Sequence, residues 1–334
     1  MNYSSVLNKK NILITGGTGS FGHQMIKELM PYNPKTIRIF SRDEDKQHSM
    51  KMDLAKEPIF KKIEFMIGDV REYDRLFAVT KDIDIVFHAA ALKQVPTVES
   101  HPYEAVKTNI IGAYNVVKAS VARNVKNVVA ISTDKAVKPV SAMGMTKALQ
   151  EKIILSDDLT KDKTKFCCVR YGNVLGSRGS VIPLWNSKIE QNKPLPVTHP
   201  DMTRFLLTLS QAIDLVFYSL KHGKGGEIFV KKAPSATMVN LAKAYAELKT
   251  GKKDYPLEYV GIRAGEKIDE VLVSHEEMRR AKEEKDHFVI HGESDFDIRS
   301  LKKSLKTIEY DSGSASHLSV KELKEIMKKL NWVL

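Results

Sequence analysis

The sequence predicts an α/β protein: a doubly wound parallel sheet with a smaller mixed lobe built from C-terminal segments. Three observations predict it. Short β-branched apolar runs alternate with amphipathic stretches of helical length through the first half. A glycine cluster, Gly16-Gly17-Thr18-Gly19-Ser20-Phe21-Gly22, directly follows the first of those runs. After Tyr171 the texture changes, with Pro183, Pro194, Pro196 and Pro200 crowded together and shorter elements between them. Strict alternation of strand and helix means right-handed crossover units and helices on both faces of the sheet. We therefore expect one domain over residues 1–172, with later segments returning to it, and a lobe plus C-terminal extension over 173–334.

The elements follow in order. Asn11–Thr15 (NILIT), Thr36–Ser41 (TIRIFS), Ile63–Ile67 (IEFMI), residues 83–88 (IDIVFH) and residues 128–132 (VVAIS) are near-continuously apolar. That is what parallel strands covered on both faces require. Helical segments are expected between them at 21–29, 44–55, 71–79 and 103–123. A further helix over 143–155 leads into the strand Lys165–Arg170, and Leu and Ile recur at helical spacing over 320–330.

Composition narrows the classes. The chain has 334 residues, 42% hydrophobic and 28% charged, which is ample for a large core. No run approaches the ~20 apolar residues of a membrane helix, and Met1-Asn-Tyr-Ser-Ser, with no basic segment followed by an apolar one, is not expected to be a signal peptide. The two cysteines, Cys167 and Cys168, are adjacent, so neither a disulfide framework nor a cysteine-based zinc site is expected, and a cytoplasmic location fits. The net charge is +12. Its Lys-rich stretches at 278–285 and 301–306 read as solvated helix faces, and zinc-finger, heptad and RNA-binding signatures are missing. No nucleic-acid partner is expected; a phosphorylated small substrate suits the charge.

The glycines Gly16, Gly19 and Gly22 lie between a strand and a helix, where backbone without Cβ lets a pyrophosphate approach the helix N-terminus. Thr18, Ser20 and Phe21 fill the same loop, so a Rossmann dinucleotide site is expected here. The second strand ends Ser41-Arg42-Asp43, with Lys46 one turn on. A guanidinium beside a hydroxyl suits the 2′-phosphate of NADP, while Asp43 could still take the 2′-hydroxyl of NAD, and Arg42 could simply pair with a carboxylate. Asp69 and Val70 are placed beside the adenine, with Asp69 accepting from its amino group, and Ala89 and Ala90 offer small residues against the cofactor.

The fifth strand ends Ser132-Thr133-Asp134-Lys135, at the end of a parallel sheet that faces the ligand crevice. The following helix carries Met143-x-x-x-Lys147. In a short-chain dehydrogenase that spacing is Tyr-x-x-x-Lys, which puts phenol and ammonium on one helix face for proton abstraction from an alcohol. A thioether is no base, so a different group must take that proton.

These motifs together resemble a family. GGTGSFG (16–22), SRDE (41–44), GDVR (68–71), HAAALKQVP (88–96), KTNIIGAYNV (107–116), STDKA (132–136), RYGNVLGSRGSVIP (170–183), DMTRF (201–205) and IRAGEK (262–267) resemble the short soluble UDP-N-acetylglucosamine 4,6-dehydratases, extended short-chain dehydrogenase/reductases. Ala142-Met143-Gly144 resembles the C5-inverting capsule and O-antigen enzymes of the L-fucosamine route. The resemblance implies a hydro-lyase that recycles tightly bound NADP, acts on UDP-N-acetylglucosamine and forms a homo-oligomer, a hexamer. It implies Asp134 as acid at the C6 oxygen and Lys135 as base at C5; a lysine base must be desolvated or set beside cations such as Lys147 and Lys93. Thr133 is a candidate relay for the C4 hydroxyl proton. Lys93, Asn173, Arg178, Arg204, Arg263 and Glu266 are the nucleotide-sugar candidates, with Gln94, Val95 and Pro96 lining the sugar pocket and Glu99 and Asn109 structural. Two other functions fit the same fold: a UDP-sugar 4-epimerase, which needs only oxidation and re-reduction at C4, and a non-catalytic NADP-binding regulator that has lost its tyrosine.

Overall fold

The structure, a computed structural model, describes residues 1–156, 163–176, 180–292 and 308–330. Its centre is a nine-stranded sheet. Six strands come from the first half: β1 Asn11–Thr15, β2 Thr36–Ser41, β3 Ile63–Ile67, β4 Ile85–His88, β5 Asn127–Ile131 and β6 Lys165–Arg170. They run parallel in the spatial order β3-β2-β1-β4-β5-β6, so the chain order reverses beside β1. Ile228–Lys231 continues the sheet parallel to β6, and His287–Ile290 and Ala281–Glu283 close that edge antiparallel. C-terminal segments thus complete a sheet begun by the N-terminal half.

Alternation along β1 shows how the sheet is buried. Ile12 and Ile14 face one layer with Met25, Ile213 and Phe217, while Leu13 faces the other with Val86, Val116 and Val117. All are essentially inaccessible, as successive side chains must be when helices cover both faces. A third core lies outside the sheet, where Trp185, Leu241, Tyr245, Leu323 and Met327 pack together. There a three-stranded sheet, Ser235–Thr237, Thr203–Leu207 and Asn173–Val174, lies beside the helices Met238–Thr250 and Val320–Lys329.

Three expectations change. The fourth strand begins at Ile85 because Asp84 closes a turn: its carboxylate accepts from the Asn11 amide at 3.0 Å, after Asp82 at φ 62°. The helix expected over 103–123 is Pro102–Ala105, a π-helical stretch Val106–Ile111, and Gly112–Ala122. The wide turn delivers Asn109 inward, where its amide bonds the Leu92 backbone and Thr146, and π insertions of this kind are frequent at functional sites. Finally, the stretch 278–285 is not a solvated helix face: the helix His275–Met278 ends there and Ala281–Glu283 is a charged edge strand, a common guard against edge pairing. The stretch 301–306 lies outside the described residues. Among the described residues no helix is long and apolar enough to cross a membrane.

Candidate active site

A cavity of about 930 Å³ opens between the C-terminal ends of β1, β4 and β5 and the smaller lobe. Gly16, Thr18, Gly19, Ser20 and Phe21 form one wall, with Lys46, Ala89, Ala90 and Lys93 beside them. Gly16 has φ +66°, and a Cβ there would lie 2.7 Å from the Ala90 Cα, so only glycine lets the two strand ends close on each other. Gly22 is not on the wall; it packs beneath the loop, where a Cβ would strike the Gly17 carbonyl. The helix Ser20–Leu29 has glycine at its N-cap and no acidic residue in its first turn. Its dipole and amides are therefore disposed to meet an anion.

The second-strand signal separates into two roles. Asp43 caps the helix Glu44–Leu54 through the Lys46 amide at 2.9 Å and pairs with the Lys46 ammonium at 2.5 Å, which holds its carboxyl below the usual range. Arg42 remains half exposed, 3.4 Å from Asp69. Asp69 and Val70 are not among the cavity-lining residues, and neither are Ser41, Arg42 and Asp43. The expectation for Asp69 needs correcting: its oxygens accept from the Arg71 amide at 3.0 Å and the Arg71 Nε at 2.7 Å, so it anchors a turn rather than presenting a free acceptor to an adenine.

On the opposite wall the end of β5 turns into a short 3₁₀ helix, Asp134–Ala136. The Thr133 hydroxyl donates to Asp134 Oδ1 at 2.7 Å, and the Lys135 ammonium donates to the same oxygen at 3.1 Å. Lys135 also lies 3.0 Å from Glu270 Oε1. Burial pulls the Lys135 pKa down, but the Asp134 and Glu270 carboxylates outweigh it and leave it raised. A lysine desolvated or set beside cations was expected at this position; the structure sets Lys135 between two carboxylates instead.

Lys147, 6% exposed, donates to the Ile131 carbonyl and to Gln150 Oε1, both at 2.6 Å. Burial lowers its pKa to about 8. Among the described residues two of its three N–H groups are thereby taken and the third has no acceptor. Met143, one turn earlier, is buried against Val98 and Ala105 and forms an apolar part of the wall.

The smaller lobe supplies Asn173, Arg263 and Glu266, all on the cavity wall, with Gln94, Val95 and Pro96 facing it from the N-terminus of the helix Val95–Ser100. The Glu266 carboxylate accepts from the Arg263 amide at 3.1 Å, so these two residues shape one loop. Arg204 also lines the wall, but its Nη groups donate to the Thr203, Lys267 and Ile268 carbonyls at 2.7–2.9 Å. Its fork therefore pins the 267–268 backbone, and the expected phosphate ligand is corrected to a scaffold. Arg178 lies outside the described residues. Glu99 caps the Ala142 amide at 2.7 Å. Sequence reasoning missed Glu270 and Gln150. Neither sits in a motif, and only the fold brings them to Lys135 and Lys147.

Comparisons with known proteins bear on this site. Residues 12–292 match the family model described as "Polysaccharide biosynthesis protein". A protein of Rickettsia bellii named UDP-glucose 4-epimerase is 44% identical over 336 aligned residues, covering 97% of each chain. A second, from Rickettsia felis and of the same name, is 43% identical with the same coverage. The X-ray structure of Pen from Bacillus thuringiensis superposes with a TM-score of 0.88 at 38% identity, covering 97% of this chain and 99% of that one. A dTDP-glucose 4,6-dehydratase, DesIV from Streptomyces venezuelae, shares the fold at a TM-score of 0.69 and 18% identity, covering 77% and 86%. The lyase class implied by the sequence resemblance is corrected by these relatives: the name they carry at 42–44% identity is that of an isomerase.

Proposed function

The chain belongs to the polysaccharide biosynthesis protein family, and from that premise we propose that it is a UDP-hexose 4-epimerase working through a nicotinamide dinucleotide and a 4-keto sugar. The observation that carries the reading is the Thr133–Asp134 pair on the cavity wall, a hydroxyl 2.7 Å from a buried carboxylate at the end of β5. The full-length similarity to relatives named UDP-glucose 4-epimerase supports the substrate class.

The residues fit a dinucleotide. The uncapped glycine turn suits a pyrophosphate, and Lys147 retains one donor for a ribose hydroxyl. Asp43 is engaged by Lys46 while Arg42 is half exposed, which favours the 2′-phosphate of NADP over the 2′-hydroxyl of NAD. A bound nicotinamide dinucleotide would supply hydride acceptance and return at C4. Everything else falls to this chain. The Thr133 hydroxyl receives the C4 hydroxyl proton as its own passes to Asp134, so the carbonyl forms without a phenol. Met143 keeps that side of the sugar dry. Lys135, cationic, steadies the oxygen as charge develops on it. Asn173, Arg263 and Glu266 hold the nucleotide from the lobe, and Lys93 lies near the diphosphate. With the nucleotide gripped there, the keto sugar is free to present its other face before hydride returns. The dinucleotide would then lie against the sheet ends, with the UDP group held largely by the smaller lobe.

The test is direct. Purified protein with NADP⁺ is incubated separately with UDP-glucose and UDP-N-acetylglucosamine, and the anomeric proton region is followed by NMR. Appearance of the galacto-configured epimer from either supports the reading; unchanged spectra with both would overturn it.

A further inference from the structure

One carboxylate from the smaller lobe reaches the reaction centre without belonging to any recognisable motif. Glu270 is 2% exposed, on the wall of the cavity, immediately before the strand Val271–Val273. Its backbone is clamped: the amide donates to Ser312 Oγ at 2.9 Å and the carbonyl accepts from the Ser312 amide at 2.8 Å. Ser312 Oγ in turn lies 2.6 Å from Thr203 Oγ1. Among the described residues three cations stand around the carboxylate, with Lys135 Nζ at 3.0 Å, Lys267 Nζ at 3.6 Å and Arg204 Nε at 3.8 Å. Lys267 and Arg204 have other duties. Lys267 donates to the Val137 carbonyl at 2.7 Å, and Arg204 is taken up by three backbone carbonyls. Lys135 is the cation of the three whose remaining contact is the reaction-centre carboxylate itself, Asp134.

We infer that Glu270 is a positioning residue that, together with Asp134, holds Lys135 as an ammonium aimed at the sugar, so that Lys135 serves as a donor to the C4 oxygen and not as a base. This rests on the reading of the cavity as a C4 oxidation site. The geometry explains why a buried lysine keeps its proton. A lysine desolvated alone would release it, whereas one held at about 3 Å by carboxylates on two sides gains more from attraction than it loses by burial. It also explains the lobe's part in the chemistry. The Thr133-Asp134-Lys135 turn is local, but its cation is oriented from the far lobe through the Thr203–Ser312–Glu270 chain. Other charges facing Lys135 are Arg204, which opposes its charge, and Asp134, which favours it.

Two measurements on the full-length protein test this. The first is independent of turnover: trace acetylation of Lys135 by acetic anhydride, read by mass spectrometry across pH 6–11, for the wild type and Glu270→Gln. The wild-type amine should react only at strongly alkaline pH, and Glu270→Gln should move the onset down by about one to three pH units, the usual effect of an opposite charge at this distance. A wild-type Lys135 already reactive at neutral pH, or an onset unmoved by the substitution, would overturn the inference. The second reads kcat/KM for the UDP-hexose against pH. Glu270→Gln should shift the alkaline limb down by a similar interval, and Glu270→Asp should restore part of it. A uniform loss of activity with an unmoved limb would mark a merely structural role and overturn the inference. If acetylation behaves as expected but no UDP-hexose is turned over, the C4 reading fails while the charge assignment stands.

Discussion

The Thr133 hydroxyl lies 2.7 Å from Asp134 Oδ1, and the other oxygen of that buried carboxylate has no hydrogen-bond partner among the described residues. The pair arises because β5 ends at Ile131 and the chain tightens at once into a 3₁₀ turn with Thr133 as its N-cap. A hydroxyl backed by a buried carboxylate with a free lone pair is the arrangement a proton relay needs. Thr133→Val should therefore lower kcat by about 10²–10⁴-fold, the range for loss of general acid–base assistance, while Thr133→Ser retains most activity. Cofactor binding, followed by fluorescence titration, should be unchanged in both. Equal kcat for Thr133→Val and wild type would remove the relay.

Met143 should be replaceable. It is 4% exposed among Val98, Ala105 and Ala142, and contributes shape rather than protons. Met143→Leu conserves volume and is expected to cost under about 1.5 kcal/mol of stability, with kcat within a few-fold of wild type. A loss comparable to that of Thr133→Val would mean the thioether does more than wall the site.

Arg42 should set cofactor preference. A charge-assisted hydrogen bond contributes about 1.5–3 kcal/mol, so Arg42→Ala should weaken NADP binding by roughly tenfold or more and leave NAD binding within a few-fold. Isothermal titration with each dinucleotide checks this. Parallel losses for both would place Arg42 in the Asp69 turn only.

Stability at low pH should depend on Glu277. Arg170, 3% exposed, forks to Glu151 at 2.5 and 2.7 Å and to Glu277 at 2.7 and 2.8 Å. Burial raises the Glu277 pKa, but Arg170 outweighs it and holds it below the usual carboxylate range. A carboxyl depressed on folding stabilises above its unfolded value, about 4.3, and that contribution is lost as pH falls through the lower folded value. Glu277→Gln should therefore flatten the acid side of a urea-midpoint profile. Breaking the cluster outright with Glu151→Ala should cost about 3–5 kcal/mol at neutral pH, because it leaves Arg170 short of a partner. Unchanged profiles for both would show the cluster to be energetically idle.

Much of this was legible in sequence. Strands such as Asn11–Thr15 and Thr36–Ser41 declare themselves through continuous β-branched apolarity, and the glycine loop through its place between strand and helix. Local signals fail where the partner is distant. Nothing near Arg204 indicates that the carbonyls of 267–268 will occupy its fork, and nothing near Lys135 indicates that Glu270 will meet it. The π-helical turn was illegible for the same reason, since it depends on Asn109 finding the Leu92 backbone. The strand Ala281–Glu283 was hidden by its charge, which is ordinary on a sheet edge and mimics a solvated helix.

The reaction itself distinguishes the account from its competitors through what happens to atoms other than C4. UDP-glucose, and in parallel UDP-N-acetylglucosamine, should be incubated with the protein and NADP⁺ in D₂O, and the product analysed by mass and NMR together. A C4 epimer of unchanged mass, with protium retained at C4 and C5, is the expected result. A product lighter by one water, or carrying deuterium at C5, would contradict it.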